Sequence, residues 1–284
     1  MAFVQVSFHL WEPVGFMPFR SLLASWLEKS TNTADGSPAE PPKVCHLGVV
    51  FALGIESGCF EDLLSGCVTI RGHGFIIREG GWNGCRVAVI LAGPGRENAA
   101  RATEVLIDGH RPSRVISAGF AGGLSPTLKR NDILVVDRLV CSDGREMAVE
   151  LAAGLANQGQ EPGVHRGVML TYDRMVRSPD ERRTLGERYE ASAVDMETFA
   201  VAEVCRQREI RFSAVRVIND TDDESLSTDI EYLLTRKPGA AQWGAALGTI
   251  CRRPSSAKEM YQLHENALVA SRRLAKFLAA VRWE

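Results

Sequence analysis

The sequence predicts an α/β protein: a single three-layer domain with a largely parallel, helix-covered mixed central sheet. Two observations lead there. Short β-branched runs at 46–52, 86–92, 114–118, 132–140, 164–171 and 212–218 alternate with helical patterns. These runs are nearly continuous in apolar residues, as expected of strands covered on both faces. A third observation concerns function: glycine-rich turns and isolated charges cluster at the strand ends, where open α/β sheets bind ligands.

The order of elements follows from local pattern. The first strand leads into Leu53-Gly54-Ile55-Glu56 and a turn-rich region. The second runs into Gly93-Pro94-Gly95 and a helix with Ala99, Ala102, Val105 and Leu106 on one side. The third ends in the glycine-rich loop Gly119-Phe120-Ala121-Gly122-Gly123. Further helices are expected at 179–190, 196–208, 241–251 and 257–281, the last carrying Leu263, Ala267, Ala270, Leu274, Phe277 and Val281 in register.

Residues 1–42 read as an N-terminal extension and linker, and 43–284 as the catalytic domain. Phe19, Leu22, Leu23, Trp26 and Leu27 form a helical stripe, and 30–42 has linker composition. That stripe fits a membrane-surface or partner contact, a helix packed on the domain, or translation from an upstream start.

With 33 basic and 35 acidic residues the net charge is −2, which argues against a nucleic-acid partner. No apolar run reaches the roughly 18 residues of a membrane span, and the N-terminus lacks the parts of a signal peptide. Seven scattered cysteines without a C-x-x-C pair point to the reducing cytoplasm. The six histidines show no zinc-ligand spacing, so neither metal nor cofactor is expected.

Four features carry candidate chemistry. Gly93-Pro94-Gly95-Arg96-Glu97-Asn98 follows a strand and opens a helix, but Asn98 replaces the third glycine of a dinucleotide fingerprint; a turn offering amides to a small anion stays open. Glu56 is either a solvated loop residue or a carboxylate at the ligand edge. Val194-Asp195-Met196-Glu197 opens a helix, either as plain caps or with Glu197 kept ionised by the helix dipole. Arg216, inside an apolar strand, needs an anion, a wet cavity or a structural ion pair. Asp220, followed by Asp222, Asp223 and Glu224, has like charges nearby that would raise its pKa and suit a general acid.

Taken together, these segments resemble the nucleoside phosphorylase superfamily, above all its 5′-methylthioadenosine/S-adenosylhomocysteine nucleosidases. The likeness spans about 46–124 and 164–224 and rests mainly on Val194-Asp195-Met196-Glu197 and Arg216-Val217-Ile218-Asn219-Asp220. It implies that Asp220 protonates purine N7, that Glu56 is the general base on water, and that Arg216 helps hold that water. Glu197 would bind the ribose hydroxyls and Met196 pack on the sugar, while Met175 stacks on the base and Val176 contacts it through its backbone. Gly119 and Asn219 would line the substrate, and Gly95 with Arg96 would serve phosphate if the enzyme were a phosphorylase. Asn219 replaces a family serine, Met175 an aromatic, and Ala92 a serine near the nucleophile. Arg252-Arg253-Pro254 lie in a longer C-terminal region like that of phosphorylases acting on bulky or lipid-linked nucleosides. Glu56 without a first-strand arginine favours water; Arg96 keeps phosphorolysis open. The implied partner is a small-molecule nucleoside, the implied assembly a homo-oligomer. A non-enzymatic nucleoside-binding or storage protein is the alternative of another class.

Overall fold

The computed structural model describes residues 46–156, 161–223 and 254–283. The expected N-terminal helix and linker, the helix at 241–251 and Glu224 lie outside them. The sheet has ten strands: β1 (Leu47–Phe51), β2 (Ser65–Gly72), β3 (Phe75–Trp82), β4 (Cys85–Leu91), β5 (Arg114–Gly123), β6 (Ile133–Cys141), β7 (Glu146–Ala148), β8 (Val164–Thr171), β9 (Ala193–Asp195) and β10 (Arg211–Asp220). Helices are α1 (Gly54–Glu61), α2 (Arg96–His110), the short α3 (Ala153–Ala156), α4 (Pro179–Tyr189), α5 (Thr198–Gln207) and α6 (Pro254–Ala280).

The strands β4, β1, β5 and β10 lie side by side and parallel. Their alternate side chains enter two cores. Leu47, Val49, Phe51, Val87, Val89, Ile116 and Val215 face α1 and α6, meeting Phe60, Leu274 and Phe277. Val50, Ala88, Ile90 and Val115 face α2 and α5, meeting Ala102, Leu106, Val201 and Cys205. Both faces are dry, which is why these strands lack a polar alternation. Beyond them the sheet closes on itself. β10 pairs with β6 as well as β5, β6 with β8, β8 with β9, and β9 returns to β5. Among the described residues no helix is long and apolar enough to cross a membrane.

Three details differ from the sequence expectation. The turn-rich region after α1 contains the β2–β3 hairpin; β2 is exposed along its whole length, so no burial pattern announces it. The glycines at 119–123 are not a loop but the last half of β5, and none has a positive φ. Asp220 is the final residue of β10, after a bulge, rather than a loop residue.

Candidate active site

β1 hands the chain to α1 through Ala52 and Leu53, and Glu56 falls in the first turn of that helix. Its carboxylate reaches back to the helix start, Oε2 accepting from the Leu53 N–H at 2.8 Å, the half of a capping box that the side chain supplies. Oε1 accepts from the Phe120 N–H at 2.9 Å, across the parallel strands. Gly119 makes that approach feasible: a Cβ there would lie 2.8 Å from Oε1. α6 supports the same turn, with Ser271 Oγ donating to the Glu56 carbonyl at 3.2 Å. Glu56 is 5% exposed. Burial raises its pKa above the ordinary carboxylate value, against the two N–H donors and Arg216, which lower it.

Glu197 comes from the other side. It is the residue before α5, with no capping bond of its own. The capping is done by Asp195, whose Oδ2 accepts from the Thr198 N–H at 3.1 Å. Glu197 instead accepts from the Gly95 N–H at 2.6 Å and the Met196 N–H at 3.2 Å. Gly95 holds φ +94° to present that amide, a conformation that suits glycine. The expectation that a helix dipole keeps Glu197 ionised is therefore corrected. Burial, then the neighbouring Asp195, push it up to about 8, outweighing the Gly95 amide.

Arg216 is 3% exposed and fully engaged. Its Nη2 donates to Asp195 Oδ2 at 2.9 Å, Ser117 Oγ at 2.8 Å and Thr198 Oγ1 at 2.6 Å, Nε donates to Asp195 at 3.2 Å, and Nη1 to the Val215 carbonyl at 3.0 Å. The structural ion pair is thus realised, and Arg216 acts as a fixed positive charge behind the two glutamates. Glu56, Glu197, Arg216, Ser117, Gly119 and Ala92 line a cavity of about 10 Å³, about the room of one water.

Asp220 lies further along β10, level with Gly122 where Arg216 is level with Gly119. Three residues at ~3.3 Å each put the two levels roughly 10 Å apart. Among the described residues, one contact of its carboxylate is with a cation. Oδ2 accepts from Nη2 of Arg182, a side chain 1% exposed on α4. Val176 is buried, and its carbonyl accepts from the same nitrogen at 3.0 Å. Met175 and Met196 are half-buried on the segments that lead to α4 and α5. Asn219 turns its carbonyl to Arg130, and its buried Oδ1 has no partner among the described residues.

The two candidate phosphate ligands are otherwise engaged. The Gly95 amide is held by Glu197, and Arg96 donates to Cys141 Sγ at 2.7 Å and forms an ion pair with Asp173. Arg96 thus lines an open groove with Tyr172, Arg174 and Tyr189 rather than the cavity of Glu56. Sequence reasoning missed Ser117, Thr198 and Arg182. The first two are ordinary small polar residues, and α4 offers Arg182 and Arg183 side by side with no pattern to say which is inside.

The family model for the phosphorylase superfamily matches residues 47–239. The chain belongs to the phosphorylase superfamily. A curated superfamily relative, the 5′-methylthioadenosine/S-adenosylhomocysteine nucleosidase of Haemophilus influenzae, is 29% identical over 222 residues, 71% of this chain and 96% of that one. The solved nucleosidase of Neisseria meningitidis, in complex with methylthio-immucillin-A, has a TM-score of 0.64 at 22% identity, over 84% of this chain and 100% of that one. Native futalosine hydrolase of Helicobacter pylori also gives 0.64 at 22%, over 84% and 97%. At these identities the structures show that the superfamily fold is shared.

Proposed function

We propose that the chain hydrolyses the N-glycosidic bond of 5′-methylthioadenosine/S-adenosylhomocysteine-type nucleosides, releasing adenine and the 5-substituted ribose. The observation that carries this is the one-water cavity walled by Glu56, Glu197 and Arg216, some 10 Å along the sheet from a separate carboxylate, Asp220. Glycosidic cleavage needs that separation, since its oxocarbenium-like sugar has an acid at the leaving group and a base on the opposite face. Asp220 gives its proton to N7, and the C1′–N9 bond breaks with its electron pair going to the base. Water adds to C1′ and yields its proton to Glu56, whose burial makes it a stronger base than an exposed glutamate. Glu197 holds the 2′- and 3′-hydroxyls, Met196 packs on the sugar, and Met175 and Val176 meet the purine. Arg216, which also walls the cavity, is fixed by Asp195, Ser117 and Thr198 and supplies a positive charge beside the water.

Phosphorolysis would need an anion cradle, and Gly95 and Arg96 are committed to Glu197 and Asp173. A storage protein would have no use for an acid and a base together. The reading takes residues 43–284 as the catalytic domain of a cytoplasmic homo-oligomer, the compartment inferred from the scattered cysteines.

The test is to incubate the protein with methylthioadenosine, adenosylhomocysteine, futalosine, adenosine and inosine, with and without phosphate, and to measure base and sugar. Free adenine with a reducing sugar, independent of phosphate, is expected. Release only with phosphate, as ribose 1-phosphate, replaces the hydrolase by a phosphorylase; no release at all refutes both.

A further inference from the structure

Arg182 is the largest fully buried side chain in the described residues, and it is a cation. Removing a guanidinium from water costs several kcal/mol unless its hydrogen-bonding capacity is met. Its partners here come from three separate segments: Asp220 at the end of β10, the Gly123 carbonyl at the end of β5 (3.3 Å from Nη1), and the Val176 carbonyl ahead of α4 (3.0 Å from Nη2). Its Nε has no partner among the described residues. The sheet makes room for the arrangement, because a Cβ on Gly122 would lie 2.8 Å from Arg182 Nη1 and 3.0 Å from Asp220 Oδ2. α4 is anchored to deliver it, with Pro179 in its first turn and Ser178 Oγ accepting from the Glu181 N–H at 3.2 Å. Nothing in the packing of α4 requires a cation inside, since Leu185 joins an apolar core with Leu124, Leu170 and Val194.

We infer that Arg182 is a positioning residue for Asp220. It ties the acid to the backbone segment that meets the purine, so that base and proton donor keep one relative placement. The inference rests on the nucleosidase reading of the site. With Oδ2 held by the guanidinium, the proton that passes to N7 is carried on Oδ1. The guanidinium meets Gly123 from Nη1 and Val176 and Asp220 from Nη2, two places that the single nitrogen of a lysine does not occupy together. Proton transfer is sensitive to sub-ångström placement, whereas ribose binding is made by Glu197 at the other end of the site.

The experiment compares wild type with R182K, R182M and D220N on methylthioadenosine, scaling rates to the folded fraction from circular dichroism. R114M, at a buried arginine bonded to Ser213 away from the site, is the burial control. R182M is expected to lose about a hundredfold in kcat with KM within threefold of wild type, R182K about tenfold, and R114M neither. A wild-type kcat per folded molecule in R182M overturns the inference, as does a loss carried in KM alone. If R182M does not fold, R182K decides: reduced kcat at constant KM supports the role and unchanged kcat refutes it. Turnover by wild type that D220N abolishes keeps the nucleosidase reading intact whatever Arg182 does. A wild type that releases no base removes both.

Discussion

The two ends of the site are built on opposite electrostatic plans. At the cavity end, Glu56 and Glu197 are buried together and held by backbone N–H groups, with Arg216 already paired to Asp195. Burial wins there, and both carboxyl groups take up protons more readily than in water. At the other end Asp220 has its own guanidinium in contact. At the cavity end burial outweighs the N–H donors and Arg216, whereas at the other end a buried guanidinium holds the carboxyl directly. In the proposed reaction the same chemical group would serve as a base at one end and as an aimed donor at the other.

Amide substitutions should separate the two plans most sharply. Asp220→Asn is expected to lower kcat by about a thousandfold, the upper range for a general acid. It also leaves Arg182 buried without a counter-charge, a loss of about 3 kcal/mol, visible as a melting temperature lower by several degrees. Glu56→Gln is expected to lower kcat by about a hundredfold while shifting the melting temperature little, because it removes a carboxylate that burial already disfavours. Equal destabilisation by the two variants would break the contrast.

The next pair of substitutions probes the glycines that admit each end. Gly119→Ala would place a Cβ 2.8 Å from Glu56 Oε1 and 3.1 Å from its Cδ, so the Glu56 carboxyl must move. Gly122→Ala would meet Arg182 and Asp220 instead. Each is expected to cost about tenfold in kcat and about 1–3 kcal/mol in stability, as overpacking does. Solvent isotope effects on kcat would show whether proton transfer slows in both. A wild-type rate in Gly119→Ala would mean that the Glu56 placement is not needed for turnover.

How much of this was readable beforehand follows from the kind of signal each part leaves. The parallel strands β1, β4, β5 and β10 were legible because both faces are buried and the runs are continuous. The β2–β3 hairpin was not, since an exposed strand carries no burial pattern. Glu56 and Arg216 stand out as charges in apolar stretches, and Glu197 and Asp220 as carboxylates at a helix start and a strand end. Their partners do not, because Arg182 sits among Asp180, Glu181 and Arg183 on a helix that looks solvated throughout. The glycines at 119–123 signal close backbone approach in the sequence, but not what approaches. Gly119 and Gly122 serve close approach by side chains from other elements, not a turn, and that can be seen only when the elements are in place.

The smallest expected effect tests the cavity end alone. Glu197 in the folded protein titrates at about 8 against an ordinary value of 4.5. Between those two values the native state keeps a proton that the unfolded chain has released, so its contribution to stability is complete below the lower value and is lost as pH rises through the upper one. Glu197→Gln cannot titrate. Relative to the wild type it should therefore gain stability from pH 5 to pH 8, by on the order of 1–3 kcal/mol, while Glu56 remains in both proteins and largely cancels. Urea unfolding of the pair at pH 5, 6.5 and 8 measures the difference directly. A gap that stays constant with pH would mean that the Gly95 and Met196 amides, rather than burial, govern the charge of Glu197. The cavity end would then be compensated like the Asp220 end, and the contrast between them would vanish.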